Sequence, residues 1–172
     1  MFAAISRRFI MAGALIGFSA TGFAGTLPKL EFPWKNNPAT DAVYKMSDHP
    51  NGVFVFEALA LFCSYCNENA ANVDVLATKY AAEPRVQVLD LSLDSSDSSI
   101  QQWISRHHPN HPVIKDTNRT AWNILKQDSG IPQAFVVDCS GELVDFVIGS
   151  WDESAKTKID AAIATGLEKT CE

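Results

Sequence analysis

The sequence is poor in several features that define familiar classes of protein. Its cysteines are Cys63, Cys66, Cys139 and Cys171, so the second close pair of ligands that zinc sites commonly need is missing. Positive charge is also scarce, with 14 lysines and arginines against 20 acidic residues, which argues against binding nucleic acid or an anionic membrane surface. The lack of an internal repeat or low-complexity tract excludes a repeat architecture.

Long apolar runs are scarce as well. Two arginines precede the apolar segment 9–20, which is too short and too interrupted by glycine for a typical membrane span. Gly22 and Ala24 supply the small residues that signal peptidase recognises, so residues 1–24 are predicted to be a secretory signal peptide. The alternative is an uncleaved N-terminal membrane anchor. Both predict a periplasmic or secreted protein, and cleavage would change the formal charge from −6 to −8 by removing the two arginines.

The sequence does contain a closely spaced cysteine pair between a strand and a helix. Cys63 and Cys66 follow the apolar run 53–56, which predicts a buried strand, and precede residues 67–80, whose apolar side chains recur at helical spacing. A first cysteine at a helix N-terminus is favoured as thiolate by the helix dipole and the unpaired backbone N–H groups. We therefore predict a redox-active disulfide, in preference to half of a zinc site or a permanently closed structural bond.

The remaining chain alternates predicted strands with predicted helices. Residues 25–41, which hold three prolines, predict an extended lead-in, and residues 42–172 predict one domain. Alternation of this kind, closed by a hairpin and a helix, implies a layered α/β sheet with mixed strand directions. The predicted strands are 42–46, 53–56, 86–92, 113–114, 134–138 and 143–148, and the later helices run from a cap region at 94–99 to about 106, over 117–126, and from 152–154 to about 166.

Three features, in this order, resemble the thioredoxin superfamily: the segment Val55 to Cys66, the Ile131-Pro132 step, and the final hairpin with its helix. The chain more narrowly resembles the exported TlpA/ResA-type proteins, because residues 111–116 (His-Pro-Val-Ile-Lys-Asp) are similar to the F-P-V-x-x-D segment of that branch. The resemblance covers roughly residues 42–165. It implies an α/β thioredoxin-like fold, with a mixed central β-sheet flanked by helices on both faces and a strand–helix insertion before a cis-proline, Pro132.

Thiol chemistry and the resemblance together assign roles to individual residues. Cys63 is expected to attack or be attacked, and Cys66 to resolve the mixed disulfide. Glu57 stands where thioredoxins often place a buried acid, and a desolvated carboxylate there would accept the Cys66 proton; the alternative is a solvent-facing residue at the start of a loop. Pro132 resembles the cis-proline of the family, which implies that the backbone of Ile131 pairs with an extended substrate.

The chain departs from the family pattern around the cysteine pair. Phe62 replaces the tryptophan usual before the first cysteine, and Ser64-Tyr65 lacks the proline common in the reductases. A tyrosine before the second cysteine is instead similar to the periplasmic disulfide isomerases. We expect Ser64 and Tyr65 to contact the substrate, and the direction of the reaction stays open between reduction and oxidation or isomerisation.

The second pair of cysteines is predicted from the lengths of the last strand and helix. Six or seven strand residues span about 20–23 Å, and a helix of some fifteen residues spans about 22 Å back towards the turn at 138–141. A structural disulfide between Cys139 and Cys171 is therefore feasible. A free, reactive Cys171 and a second redox pair that relays electrons are the alternatives.

Together these features predict an exported, single-domain thiol:disulfide oxidoreductase without a metal, nucleotide or flavin cofactor. Its expected partners are cysteine-containing exported proteins and a membrane thiol relay or other redox partner, and not nucleic acid. The alternative is a copper-binding chaperone of the same fold that uses Cys63, Cys66 and a histidine. Three histidines in one proline-rich loop are candidates, although such side chains are more often simply solvated: His107, His108 and His111.

Overall fold

The computed structural model describes residues 25–171, and the predicted signal peptide lies outside this range. No helix in the described range combines the length and apolar character needed to cross a bilayer. Along residues 25–171 the order of elements is β1 (Glu31–Pro33), β2 (Val43–Lys45), β3 (Val53–Leu59), α1 (Ser64–Lys79), β4 (Val86–Ser92), α2 (Asp97–His107), β5 (Val113–Lys115), α3 (Thr120–Leu125), β6 (Gln133–Val137), β7 (Leu143–Ile148) and α4 (Glu153–Leu167).

The central sheet of the described chain has the strand order β5-β4-β3-β6-β7. Strand β3 lies in its middle and is buried along its whole length, which explains why its sequence is almost entirely apolar. It pairs in parallel with β4 and antiparallel with β6, and β6 pairs antiparallel with β7. The prediction of a mixed central sheet is therefore confirmed.

The two faces of the sheet follow from the alternation of side chains along β3. Val53 and Val55 pack with α1 and α4, whereas Phe54 and Phe56 pack with α3 and the β1–β2 hairpin. Helices thus cover both faces, as predicted. Glu57 lies on the same face as Val53 and Val55, so the strand carries this carboxyl group towards α1 and α4.

Strand β3 ends beside the start of β6, so the segment before β6 lies at the same end of the sheet. Ala58 pairs with Gln133, whereas Phe54, near the start of β3, pairs with Val137. The chain that leaves β3 towards Cys63 therefore starts beside the place where the chain enters β6. The strand pairing alone brings the cysteine loop and the Ile131–Pro132 segment to the same end of the sheet.

The lead-in at residues 25–41 is more ordered than predicted. Strand β1 pairs antiparallel with β2, Leu27 and Phe32 are buried in the main core, and Trp34 forms a bridge to Ile114 on β5. The predicted strand at 42–46 therefore belongs to this hairpin and not to the central sheet. The hairpin covers apolar side chains of the central strands, which the proline content of the segment did not reveal.

The helix predicted over 117–126 is shorter in the structure. Asn118 and Arg119 have positive φ angles of 62° and 55°, so residues 117–119 form a separate short turn before α3 begins. The carboxylate of Asp116 accepts hydrogen bonds from the backbone N–H groups of Ala121 (3.1 Å) and Trp122 (2.8 Å). Asp116 thus satisfies the unpaired donors at the start of α3.

Candidate active site

Cys63 and Cys66 are joined by a disulfide at the N-terminus of α1, with their Cα atoms 5.2 Å apart. Cys63 caps the helix, and the backbone N–H of Cys66 donates to its sulfur over 3.1 Å. Cys63 is 8% exposed and Cys66 only 1%, so an approaching thiol meets Cys63 first. After reduction, the helix terminus and this N–H group would stabilise a Cys63 thiolate and lower its affinity for a proton.

The loop before Cys63 is held by the side chain of Asn67. Its amide donates hydrogen bonds to the backbone carbonyls of Leu61 (3.1 Å) and Cys63 (2.7 Å). Its oxygen accepts a hydrogen bond from Arg106 over 2.9 Å and lies 2.8 Å from Nε2 of His107. Helix α2 thus fixes the conformation of the loop through a single amide, and no local pattern in the sequence pointed to this contact.

The peptide bond between Ile131 and Pro132 is cis. The carbonyl oxygen of Ile131 lies 3.7 Å from the sulfur of Cys63, so this segment borders the disulfide. Gln133 is completely buried, and its amide donates to the carbonyl of Gly130 over 2.6 Å. The segment next to the cysteines is therefore anchored from the interior of the protein.

Glu57 is buried beneath this end of the sheet, with 2% of its surface exposed. Asn69 donates to one carboxyl oxygen over 2.9 Å and the indole of Trp151 donates to the other over 3.2 Å. Burial raises the pKa of Glu57 to about 8; the Asn69 hydrogen bond opposes this rise, the Asp90 charge adds to it, and the Trp151 hydrogen bond opposes it. The alternative of a solvent-facing Glu57 at the start of a loop is wrong, and the group can exchange a proton near neutral pH.

Asn69 connects Glu57 to the cysteine helix. It follows Cys66 by three residues, a spacing that places two side chains on neighbouring positions of a helix surface. Its oxygen accepts the backbone N–H of Trp151 over 3.0 Å, and its amide also donates to the carbonyl of Gly149 over 3.1 Å. The helical spacing could have suggested Asn69, whereas Trp151 is 94 residues from Glu57 and no local pattern links the two.

Two large apolar side chains stand exposed beside the disulfide. Phe62 is 85% exposed and Tyr65 is 56% exposed, and Ser64 between the cysteines is exposed as well. Ile131 lies half-buried across from them. Exposed aromatic side chains grouped in this way are typical of a surface that contacts another molecule.

The three histidines of the 107–111 segment have different environments. His107 is half-buried and His108 is exposed, whereas His111 is only 6% exposed. Its Nε2 lies 3.1 Å from Asp90 and its Nδ1 lies 3.2 Å from Asp74, so the expectation of a solvated side chain is wrong for His111. Between residues 25 and 171 no group of three or more histidine, cysteine or acidic side chains is arranged to hold a metal ion.

The second disulfide joins Cys139 to Cys171, with Cα atoms 5.9 Å apart. Cys139 follows the end of β6, which pairs with the start of β3, so this bond lies at the opposite end of the sheet from Cys63. Around it, the ammonium group of Lys169 contacts the carboxylates of Asp138 (2.9 Å) and Glu142 (2.6 Å). In the described structure Cys171 is thus bonded and tied to the β6–β7 turn.

The fold and the disulfide between Cys63 and Cys66 together define a protein with a thioredoxin-like fold. Residues 26–146 match the AhpC/TSA family, and the chain belongs to that family. The comparison with curated proteins found no significant match.

Solved structures of similar fold include several thiol:disulfide proteins. One is a thiol:disulfide interchange protein of the thioredoxin family from Chlorobium tepidum TLS (14% identity, TM-score 0.67, covering 86% of this chain and 99% of that one). Another is a thiol-disulfide isomerase from Corynebacterium glutamicum (16%, 0.65, 86% and 98%). A third is a secreted Mycobacterium tuberculosis disulfide oxidoreductase homologous to E. coli DsbE (16%, 0.58, 80% and 96%). At these identities the similarity shows the fold, and the prediction of a thioredoxin-like protein is confirmed.

Proposed function

We propose that this protein is an exported thiol:disulfide oxidoreductase that exchanges its Cys63–Cys66 disulfide with cysteines of other exported proteins. The observation that carries the proposal is the placement of an accessible Cys63 sulfur at a helix N-terminus, bonded to a buried Cys66. Export is supported by the predicted signal peptide and by a second disulfide, since such bonds persist in oxidising compartments. The similar fold of a secreted disulfide oxidoreductase agrees with this location.

In the reducing direction, the Cys63 thiolate attacks a substrate disulfide and one substrate sulfur leaves as a thiolate. Cys66 then loses its proton to the Glu57 carboxylate and attacks the Cys63 sulfur of the mixed disulfide. The second substrate thiolate leaves, so two electrons have passed to the substrate and the Cys63–Cys66 disulfide has formed. Glu57 is suited to this proton transfer because its raised pKa makes its carboxylate a stronger base than an ordinary glutamate.

In the oxidising direction, the same steps run in reverse. A substrate thiolate attacks Cys63, Cys66 leaves and takes a proton from Glu57, and a second substrate thiolate then releases the oxidised substrate. Each turnover leaves the cysteine pair in the other redox state. A partner must therefore restore it, either a membrane thiol relay or another redox protein of the same compartment.

The surface next to the disulfide supplies the substrate contacts. The backbone of Ile131, ahead of the cis-proline Pro132, pairs with an extended peptide in this proposal; the contact of its carbonyl with the Cys63 sulfur supports that role. Ser64 and Tyr65 directly follow Cys63 and are exposed, so they too can contact the substrate. This arrangement fits a protein substrate whose cysteine lies in an extended or unfolded segment.

The reduction potential of the Cys63–Cys66 pair tests the proposal and sets its direction. It is measured at equilibrium with defined thiol buffers, in a variant that carries Cys139→Ser and Cys171→Ser so that a single disulfide responds. A value near −270 mV would indicate a reductant, and one between about −180 and −120 mV an oxidant or isomerase. A folded protein whose Cys63 exchanges with no thiol would overturn the proposal, and stoichiometric Cu(I) binding in its place would support the copper-chaperone alternative.

A further inference from the structure

A buried histidine lies between two carboxylates on the α1 side of the sheet. His111 is 6% exposed, and its two ring nitrogens lie 3.1 Å from Asp90 and 3.2 Å from Asp74. Asp90 is itself 2% exposed on β4, whereas the side chain of Asp74 on α1 is 29% exposed. The group therefore extends from the interior of the protein to its surface.

The contact between His111 and Asp90 is close but poorly aligned. Within the described chain, Nε2 of His111 and Oδ1 of Asp90 are buried atoms that make no hydrogen bond of good geometry. The other oxygen of Asp90 accepts the indole N–H of Trp103 over 2.8 Å. Buried polar atoms are nearly always paired by hydrogen bonds, and the interaction available to these two atoms at 3.1 Å is one between charges.

Asp90 also adjoins the acid beneath the cysteines. It pairs with Glu57 in the register of the parallel strands β3 and β4, so the two side chains lie next to each other on the same face of the sheet. Two carboxyl groups buried side by side do not both ionise readily, because each charge opposes the other. An imidazolium beside one of the two carboxyl groups favours the ionised form of that group.

We propose that His111 is the counter-charge of the buried Asp90 carboxylate, and that through Asp90 it acts as a positioning residue that sets the proton affinity of Glu57. This inference rests on the proposed function, because the proton affinity of Glu57 then governs the pH at which Cys66 resolves a mixed disulfide. The charge of Asp90 favours the protonated form of Glu57, and the imidazolium of His111 is the positive charge that faces Asp90.

The electrostatic environment supports this assignment. Burial alone would lower the pKa of His111, but the carboxylates of Asp90 and Asp74 outweigh it and raise the pKa. The charge of Asp90 in turn adds to the rise in the pKa of Glu57 that burial causes. The titratable, charged and hydrogen-bonding groups around these side chains in the described structure include Asp74, Asn69 and the cysteine pair on or beside α1, Trp103, Arg106 and His107 on α2, Asn110 before β5, and Trp151 before α4.

A surface groove gives protons a route to His111 but not directly to Glu57. It has a volume of about 270 Å³, and its lining includes Tyr80, Val88 and Pro112 next to His111. His111 can therefore exchange protons with solvent although it is almost fully covered. Its charge then responds to the pH outside the protein.

The test follows the carboxyl group of Glu57 by ¹³C NMR across the pH range in the oxidised protein, where no active-site thiol titrates. Asp90→Asn removes the neighbouring charge and keeps an oxygen for Trp103, so the midpoint of Glu57 should fall by about one unit. His111→Gln removes the cation beside Asp90, so ionisation of Glu57 should finish at higher pH than in the wild type. Asp145→Asn, which removes an acidic group paired with Lys158 on the edge strand β7, should leave the midpoint unchanged.

Two results would overturn the inference. One is an unchanged Glu57 midpoint in folded Asp90→Asn protein, and the other is a wild-type His111 that titrates below the ordinary histidine value. The second measurement needs no variant, so it holds even if a substitution prevents folding. A loss of all thiol exchange would sink the proposed function but leave these titrations interpretable, whereas normal exchange with uncoupled titrations would sink only the inference.

Discussion

The two ends of the central sheet each carry a disulfide, and the two bonds differ in almost every property of their surroundings. Cys63 and Cys66 are three residues apart at a helix N-terminus, beside exposed aromatic side chains and above a protonatable acid. Cys139 and Cys171 are 32 residues apart and join a turn to the C-terminal segment, among ion pairs of Lys169.

This difference indicates that two properties determine the role of a disulfide. They are the number of residues between its cysteines and the groups that surround its sulfur atoms. Closing a short loop removes less entropy from the unfolded chain than closing a long one, so the Cys63–Cys66 bond adds less stability than the second bond, while the helix terminus favours its thiolate. Closing a loop of 32 residues removes much more. The comparison supports our proposal that the first bond carries out exchange and leads us to expect that the second stabilises the fold.

Removal of the second disulfide should have the largest effect on stability. The double variant Cys139→Ser, Cys171→Ser should lose about 4 kcal/mol of unfolding free energy, against about 2 kcal/mol for Cys63→Ser, Cys66→Ser, because the loop it closes is longer. Urea denaturation monitored by tryptophan fluorescence measures both losses. Thiol exchange should persist in the first variant and vanish in the second.

A larger loss of unfolding free energy in the Cys63–Cys66 variant than in the Cys139–Cys171 variant would contradict the comparison. If the Cys139–Cys171 variant kept its stability but lost exchange, the second pair would be a redox relay and not a structural bond. A single Cys171→Ala variant, which leaves Cys139 reduced and buried, serves as the matched control for the volume change at the double-variant site.

Local sequence was enough to predict the end of the sheet that carries Cys63 and Cys66. The apolar run, the cysteine pair and the helical periodicity lie within 28 residues of each other, so their order gave the strand, the site and the helix. The companions of Glu57 could not be predicted in this way. Trp151 lies 94 residues from Glu57, and it reaches that carboxyl group only because β7 and α4 fold back over the sheet.

The same limit applies to the lead-in and to His111. The pairing of β1 with β2 depends on the apolar surface that the finished sheet presents, which no pattern within residues 25–41 encodes. His111 lies in a polar, proline-rich segment that predicts a solvated loop, yet Asp90 and Asp74 from other elements enclose it. The lengths of β7 and α4, by contrast, were enough to suggest that Cys171 could reach Cys139.

Two buried acids at opposite ends of the sheet should respond to pH in opposite directions. Burial raises the pKa of Glu57 from 4.5 to about 8, so this group contributes stability below pH 4.5 that is lost as the pH rises through 8. Burial opposes ionisation of Asp138, but hydrogen bonds from Ser140 and Lys169 outweigh it and lower its pKa. Asp138 therefore contributes stability above its ordinary pKa that is lost as the pH falls through the lowered value.

Glu57→Gln and Asp138→Asn separate these contributions when the unfolding free energy is measured from pH 3 to pH 9. The wild type should lose stability relative to Glu57→Gln as the pH rises from 5 to 9. Relative to Asp138→Asn it should instead gain stability as the pH rises from 3 to 5. Parallel curves for wild type and Glu57→Gln would show that Glu57 keeps one protonation state, which would remove it from the proton-transfer step.

The exposed aromatic side chains also distinguish the Cys63–Cys66 end of the sheet from the Cys139–Cys171 end, and measurements of stability should not detect this difference. Phe62 and Tyr65 make few contacts within the protein, so Phe62→Ala and Tyr65→Ala should each change the unfolding free energy by less than about 0.5 kcal/mol. Each should nevertheless slow exchange with an unfolded, disulfide-containing protein several-fold, and leave exchange with a small thiol unaltered. Val75→Ala removes an apolar side chain that is 68% exposed elsewhere on α1, and it should change neither rate.

The ratio of the two rates is the decisive quantity in that experiment, because it cancels any change in the reactivity of Cys63. If both substrates slowed equally, the aromatic side chains would act on the cysteine pair itself, through the loop that Asn67 holds. If neither slowed, the substrate would bind through the Ile131 backbone alone. A selective loss with the protein substrate is the result expected of a docking surface, and it would place recognition at the same end of the sheet as the chemistry.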